Sequence, residues 1–205
     1  MPLDAALLRS ASRHLRRSDP VLAGLVARVG PCRLRPHRGL PPFAYLARAI
    51  LRQQISGHAA NAIDRRLHAR FGPVLRPEHF TVASDEELRG LGLSRQKTAY
   101  LRDLAARAQD GLPLHRLARM DDERVIETLS VVKGIGRWTA EMYLMFRLGR
   151  PDVLPVDDYG IRKAMQLAYR MRALPKPDRM RRLAEPWRPY RTVACWYLWR
   201  SLDAK

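Results

Sequence analysis

The stretch VVKGIGRWTAEMYLMFRLGRPDVLPVDDYG, residues 131–160, constrains this chain more than any other. It reads as the end of one helix, a Gly-Ile-Gly turn, a second helix, a short loop and a pair of acids. Asp121 is the expected N-cap of the first helix. Asp122 and Glu123 follow in its first turn, where negative charge suits the helix dipole. Val125, Ile126, Leu129 and Val132 fall at helical spacing. Gly134 can take the left-handed conformation that ends such a helix. Gly136 has no Cβ, so a ligand can approach its main chain closely. The second helix begins near Arg137, and the free N–H groups at its N-terminus favour an anion. A Gly-Ile-Gly tripeptide also serves merely to turn a helix corner, so composition has to weigh in.

Charge favours the anion. Over 205 residues the formal net charge is +18 and the pI is near 11.1. A surface this basic most often meets nucleic acid. Residues 1–80 hold fourteen Arg against four acids, and residues 162–205 hold twelve Lys or Arg against three. No polybasic run flanks an apolar anchor, and no stretch approaches the roughly eighteen apolar residues of a membrane span. The N-terminus lacks a signal-peptide pattern. Cys32 and Cys195 are too few for a disulfide framework or a four-cysteine metal cluster. These observations predict an intracellular, unsecreted protein whose partner is nucleic acid and not membrane; a monomer is the expectation, cytoplasmic at the nucleoid in a bacterium or nuclear in a eukaryote.

The rest of the chain reads as helix almost throughout. Phe43, Leu46, Ile50, Leu51, Ile55, Ile63, Leu67 and Phe71 recur at strides of three and four, which places Gln53 and Gln54 on a helix among apolar neighbours. Ser84 with Glu87 makes a capping box for a short helix ending near Gly90. Tyr100, Leu101, Leu104 and Ala108 form another, closed near Gly111. A helix should start at Asp157 or Asp158 and run past Leu167, Asp178 should cap the next, and Arg191–Leu202 should form the last. Residues 31–42 and 171–178, rich in Pro and Arg, read as loops. The alternating β-branched runs of strands are missing. The expected fold class is all-α.

VKGIGRWTAEMY followed by VLPVDDYGIRKA resembles the helix-hairpin-helix signature of the base-excision DNA glycosylases. Within that superfamily the chain is similar to the alkylation-repair branch, the 3-methyladenine DNA glycosylase II type. ILRQQISGHAANAI and EPWRPYRTVACWYLWRSL agree with that branch, so the match runs from about residue 43 to 202. Lys133 departs from it, because many relatives carry Pro before the Gly-x-Gly. The resemblance implies a single domain over 1–205 in its short form, without the N-terminal β domain of some members. It implies a two-lobed helical bundle with the active-site cleft between lobes. The lobes are expected at 43–118 and at 1–42 plus 119–205, with the hairpin at about 121–148.

The family pattern places the catalytic carboxylate at the second acid, Asp158. Breaking an N-glycosidic bond builds oxocarbenium-like charge on the sugar, and a carboxylate held in a dry site stabilises it. Asp157 is then expected to cap the helix, although both acids can be read as caps alone. Bifunctional relatives form a Schiff base through a Lys two residues after the second hairpin glycine. Here that position is Trp138, and neither Lys133 nor Lys97 occupies it. A monofunctional enzyme leaving an abasic site is implied, with no cofactor and no iron–sulfur cluster.

Trp138 and Trp199 are candidates to stack on a flipped, cationic alkylated purine such as 3-methyladenine or 7-methylguanine, a contact of roughly 0.5–2 kcal/mol. Each can equally be core. Met142, one turn beyond Trp138, would line the same wall or pack beneath it, and Tyr143, Trp187 and Trp196 read as packing. Gln54 matches the family's intercalating position. Gln53 and Gln54 can also simply hydrogen-bond backbone, and Ser56-Gly57 would let DNA come close. The amides of Gly134, Gly136 and Trp138 would hold a phosphate, with Lys133 and Arg137 as further contacts and a monovalent cation at the hairpin carbonyls as in relatives. Two alternatives stay open: the same mechanism on deaminated, oxidised or mismatched bases, and a noncatalytic helix-hairpin-helix protein that binds DNA structure.

Overall fold

A computed structural model describes residues 3–203, and among them there are helices and turns but no strand. In chain order, α1 (Ala5–Ser18) and α2 (Pro20–Val29) precede α3 (Pro42–Arg52), α4 (Gly57–Phe71), α5 (Pro77–Val82), α6 (Asp85–Gly90) and α7 (Arg95–Gln109). Next come α8 (Asp122–Ser130) and α9 (Arg137–Tyr143). α10 (Tyr159–Ala168), α11 (Pro177–Leu183) and α12 (Arg191–Asp203) follow. The chain divides into two compact units, residues 1–37 with 144–205 and residues 38–143. The boundary expected at 118/119 therefore falls at 143/144, and the hairpin belongs with the middle of the chain. The reason is tertiary: side chains of residues 53, 100 and 103, distant in sequence, meet the hairpin turn.

The terminal unit is organised around α12. Thr192, Val193, Ala194, Cys195, Tyr197 and Leu198 are all buried, as befits a helix covered on most sides. α10, α2 and α1 pack against it. Asp19, buried between α1 and α2, caps α2 by accepting from the amides of Val21 and Leu22 at 2.8 and 3.1 Å. Its other oxygen accepts from the Tyr169 hydroxyl and from the Trp187 indole N–H at 2.9 Å. A buried carboxylate costs several kcal/mol if unpaired, and these four donors offset that cost while tying three chain segments together. Trp187 and Tyr143 are fully buried, in line with packing roles, whereas Trp196 is half-buried.

The central unit is built on α3, whose Phe43, Leu46, Ala47, Ile50 and Leu51 are buried. α4 and α7 pack on it, and α5 packs on α7, with its Phe80 ring 6.0 Å from the Phe43 ring of α3 between centroids. The helix expected to continue through 43–71 breaks at 53–56. The Lys97 ammonium ends α3 by donating to the carbonyls of Ile50 at 3.0 Å, of Leu51, and of Gln53 at 2.8 Å. A cation there complements the C-terminal dipole. Burial nevertheless pulls the Lys97 pKa below its ordinary value. Two smaller expectations are also corrected. α11 is capped at Lys176, with Asp178 inside its first turn, and α8 stops at Ser130 rather than running to Val132.

Candidate functional site

In the central unit, the turn between α8 and α9 presents backbone. Val132 and Ile135 donate to the carbonyls of Leu129 and Val132 at 3.1 and 3.0 Å, winding residues 129–135 into two overlapping turns. Ile135 is buried and plugs the turn from beneath. Gly134 stands at φ +83°, and a Cβ there would collide with the Tyr100 ring, so both its backbone angle and its bareness are required. A Cβ at Gly136 would meet nothing within 4 Å. That side of the turn is open to an approaching oxygen. Among the described residues the N–H groups of Gly134 and Gly136 donate to no protein acceptor.

Three side chains fix this turn. Asp103 Oδ2 accepts from the Lys133 amide and from Arg107 Nε, each at 2.8 Å. Burial alone would raise the Asp103 pKa, but those two donors and the nearby positive charges of Arg107 and Lys133 hold it below the usual carboxylate range. Gln53 Nε2 donates to the Gly134 carbonyl at 2.9 Å and approaches Thr139 Oγ1 at 3.5 Å. Gln53 thus bonds backbone as one of the two sequence readings expected, and it supports the hairpin. Tyr100 and Asp103 carried no signal beyond helical spacing.

Gln54 is exposed and stands at φ +56°, a left-handed angle that costs a non-glycine residue about 1 kcal/mol or more. Such strain concentrates at functional positions. Ser56 caps α4 by accepting from the Ala59 amide at 3.2 Å, and Gly57 follows on the surface. Gln53, Gln54, Gln96, Lys97, Tyr100, Gly134 and Trp138, with Arg52, enclose a cavity of about 520 Å³. Trp138 is 42% exposed, unusual for a large indole, and it is not core. Met142 is half-buried and does not line this cavity. Arg137, expected to contact phosphate, makes a bidentate pair with Glu123 at 2.8 and 2.9 Å and lies 4.0 Å from buried Glu141. Lys133 keeps its side chain exposed.

In the terminal unit, Asp158 is 9% exposed. Its Oδ1 accepts from the Ile161 amide at 2.7 Å and from the Trp199 indole N–H at 3.0 Å. Asp158, not Asp157, is therefore the N-cap of α10, and Asp157 is exposed. Trp199 orients the carboxylate with its N–H, while its ring packs on Phe146 at 5.7 Å between centroids. Gly160 leaves room for this, because a Cβ there would come within 3.0 Å of the indole nitrogen and 3.1 Å of Asp158 Oδ1.

The loop that delivers Asp158 is anchored to α12. Thr192 Oγ1 donates to the Arg150 carbonyl at 2.7 Å and accepts from the Val153 amide at 3.0 Å. Arg191 and Arg188 both pair with Asp152, at 2.7 and 3.0 Å. A carboxylate held this firmly beside its own main chain can stabilise positive charge without reorganising. Among the described residues, no group of three or more His, Cys, Asp or Glu could hold a metal ion, and no helix is long and apolar enough to cross a membrane.

Known proteins are similar to this chain in sequence and in fold. A model of the HhH-GPD superfamily base excision DNA repair proteins matches residues 47–189. The chain is 37% identical over 201 residues to DNA-3-methyladenine glycosylase 1 of Schizosaccharomyces pombe, covering 95% of this chain and 87% of that protein. It is 32% identical to an alkylbase DNA glycosidase-like protein of the same yeast, covering 94% and 92%. A solved structure of the S. pombe 3-methyladenine DNA glycosylase in complex with abasic DNA is similar at a TM-score of 0.82, with 35% identity and 95% and 97% coverage.

Proposed function

Since the chain belongs to the HhH-GPD superfamily of base excision DNA repair proteins, we propose that it is a monofunctional DNA glycosylase that releases alkylated purines and leaves an abasic site. One observation carries the assignment of the chemistry: a nearly buried carboxylate, Asp158, locked by the Ile161 amide and the Trp199 indole N–H. As the glycosidic bond lengthens, the sugar becomes cationic, and a preorganised anion lowers that barrier. The damaged base must first leave the stack, at a cost of a few kcal/mol. Trp138 supplies an exposed indole on which a cationic purine can stack, which gains roughly 0.5–2 kcal/mol. Alkylation at N3 or N7 already weakens the bond, so a permissive pocket suffices. No Lys stands at position 138, and so no Schiff base with the sugar forms there.

The hairpin amides of Gly134 and Gly136 suit a DNA phosphate, and affinity that rests on phosphates falls steeply with salt. The main-chain carbonyls of residues 129–136 offer the oxygen donors that a monovalent cation takes, and such an ion would add positive charge beside that phosphate.

The test measures release of 3-methyladenine and 7-methylguanine from methylated duplex DNA, alongside duplexes containing uracil, hypoxanthine or 8-oxoguanine. Wild type should release the methylated purines without nicking the strand. Release confined to the second group would overturn the substrate assignment. Asp158→Asn should abolish release while duplex binding persists; undiminished release would remove Asp158 from the chemistry. A protein that binds duplexes but releases nothing would be the structure-binding member of the family.

A further inference from the structure

A concavity of about 1050 Å³ lies away from the Asp158 segment, against α1, the end of α2 and residues 30–35. Arg9, Arg13 and Arg16 follow one another on α1 at steps of four and three, so they form a single row along it. Arg33 and Arg35, from the non-helical segment after α2, line the same concavity. All five are exposed, and among the described residues none is engaged in an ion pair. The one acid in the lining, Asp4, is spent as the N-cap of α1, accepting from the Leu7 amide at 2.8 Å.

The floor has a different character. It is apolar, with Leu8, Val26 and Leu34 beneath the arginines. The walls are pinned together by hydroxyl contacts: Ser12 Oγ lies 2.9 Å from the Tyr197 hydroxyl, which donates to the Gly30 carbonyl at 3.1 Å. Tyr197 and Trp199 are two residues apart on α12, so they point about 200° apart around the helix axis. The concavity thus opens on the face of α12 opposite the one that reaches Asp158.

We infer that this groove docks an acidic, amphipathic peptide segment of a partner protein, with carboxylates against the arginine rows and apolar side chains on the Leu8–Val26–Leu34 floor. A DNA backbone would use the arginines and gain nothing from the floor, since phosphates cannot fill an apolar hollow. The row from Arg9 to Arg16 is about 10 Å long, enough for three or four residues of extended peptide at about 3.3 Å each. Guanidinium groups outside any ion pair suit carboxylates because they can engage them bidentately, and Arg13 gives up only a 3.3 Å bond to Ser10 Oγ in doing so.

The experiment titrates the full chain into a fluorescein-labelled peptide of alternating Glu and Leu, at physiological salt, and reads anisotropy. Saturable binding is expected. Replacing every Leu of the peptide by Ser should weaken it by about tenfold or more, because only the floor distinguishes the two peptides. Arg13→Glu combined with Arg33→Glu should weaken the Glu-Leu peptide by about tenfold or more, whereas Arg65→Glu with Arg179→Glu, the same charge change at exposed positions outside the groove, should leave it within about twofold. Circular dichroism melting confirms folding, with the Arg→Gln pair at 13 and 33 replacing the charge reversal if it melts early. No saturable binding, equal binding of the Ser peptide, or equal loss in both variant pairs would overturn the inference. So would a rim variant that loses duplex DNA affinity while keeping peptide affinity, which would give the rim to nucleic acid.

Discussion

The hairpin turn at 131–137 and the segment at 149–161 solve opposite problems. The turn offers main-chain amides, and its own side chain Ile135 points inward. What shapes it comes from elsewhere in its unit: Gln53 after α3, and Tyr100 and Asp103 on α7. The later segment offers one side chain, and what shapes that is Trp199, forty-one residues further on. A surface that must accept any DNA sequence is well served by backbone, which every nucleotide step meets alike. Bond breaking needs one charge at one place. Changes at the turn should therefore act on affinity, and changes around Asp158 on rate.

Asp158→Asn is the sharpest way to break that division, and it has the largest expected effect. Asn is as good an N-cap as Asp, so the Ile161 amide and the Trp199 N–H keep an acceptor and α10 stays capped. Only the charge is lost, and single-turnover base release should fall at least ~100-fold with duplex affinity unchanged. Asp158→Ala would add the loss of the cap, about 1 kcal/mol of stability read by thermal melting. A variant at 158 that keeps its rate but loses affinity would end the comparison.

Gly134→Ala probes the other side. An L side chain at φ +83° costs about 1 kcal/mol in backbone strain, and its Cβ must displace the Tyr100 ring. Affinity for a duplex with an abasic site should drop about tenfold, while release at saturating enzyme changes less. A pure rate effect with intact affinity would show that the open amides do not hold the DNA.

Much of both regions was legible in the chain, for physical reasons that differ. The Asp121 cap, the Gly134 turn and the start of a helix at the acid pair are all written within a few residues. The break at 53–56 was not, because Gln53 and Gln54 are good helix formers and α3 is ended by Lys97, more than forty residues away. The unit boundary was missed for the same reason: Gln53, Tyr100 and Asp103 bind the hairpin to the middle of the chain, and none of them signals this locally. Which of two adjacent acids becomes the cap depends on where the helix starts, and Asp158 takes it once residues 149–153 are fixed to α12. Met142 sits at the right helical step from Trp138, yet spacing alone cannot say which neighbours close a cavity.

Trp199→Phe sharpens the rate side with a smaller effect. Phe keeps an aromatic ring to pack on Phe146 but removes the donor to Asp158 Oδ1. The carboxylate keeps the Ile161 amide and loses orientation, so release should slow by about tenfold with duplex affinity unchanged. If Trp199 instead contributed mainly a stacking face, Phe would largely preserve the rate, and the loss would appear with Trp199→Leu.

The smallest expected effect concerns Asp103, which works on the turn through charge as well as geometry. Its carboxyl titrates below the usual range when folded, so ionised Asp103 favours the folded chain. The sign follows from that. The contribution is fully present above the unfolded carboxylate value of about 4, shrinks as pH falls below it, and is lost once pH passes the depressed folded value. Asp103→Asn keeps an acceptor for the Lys133 amide and removes only the charge facing Arg107 and Lys133. Chemical denaturation should then show a gap between wild type and variant of about 1 kcal/mol near neutral pH, closing as the solution is acidified through the carboxylate range. Base release at saturating enzyme should not move. A gap that widens on acidification would mean that the carboxyl is protonated in the native turn, and that the hairpin is held by shape alone.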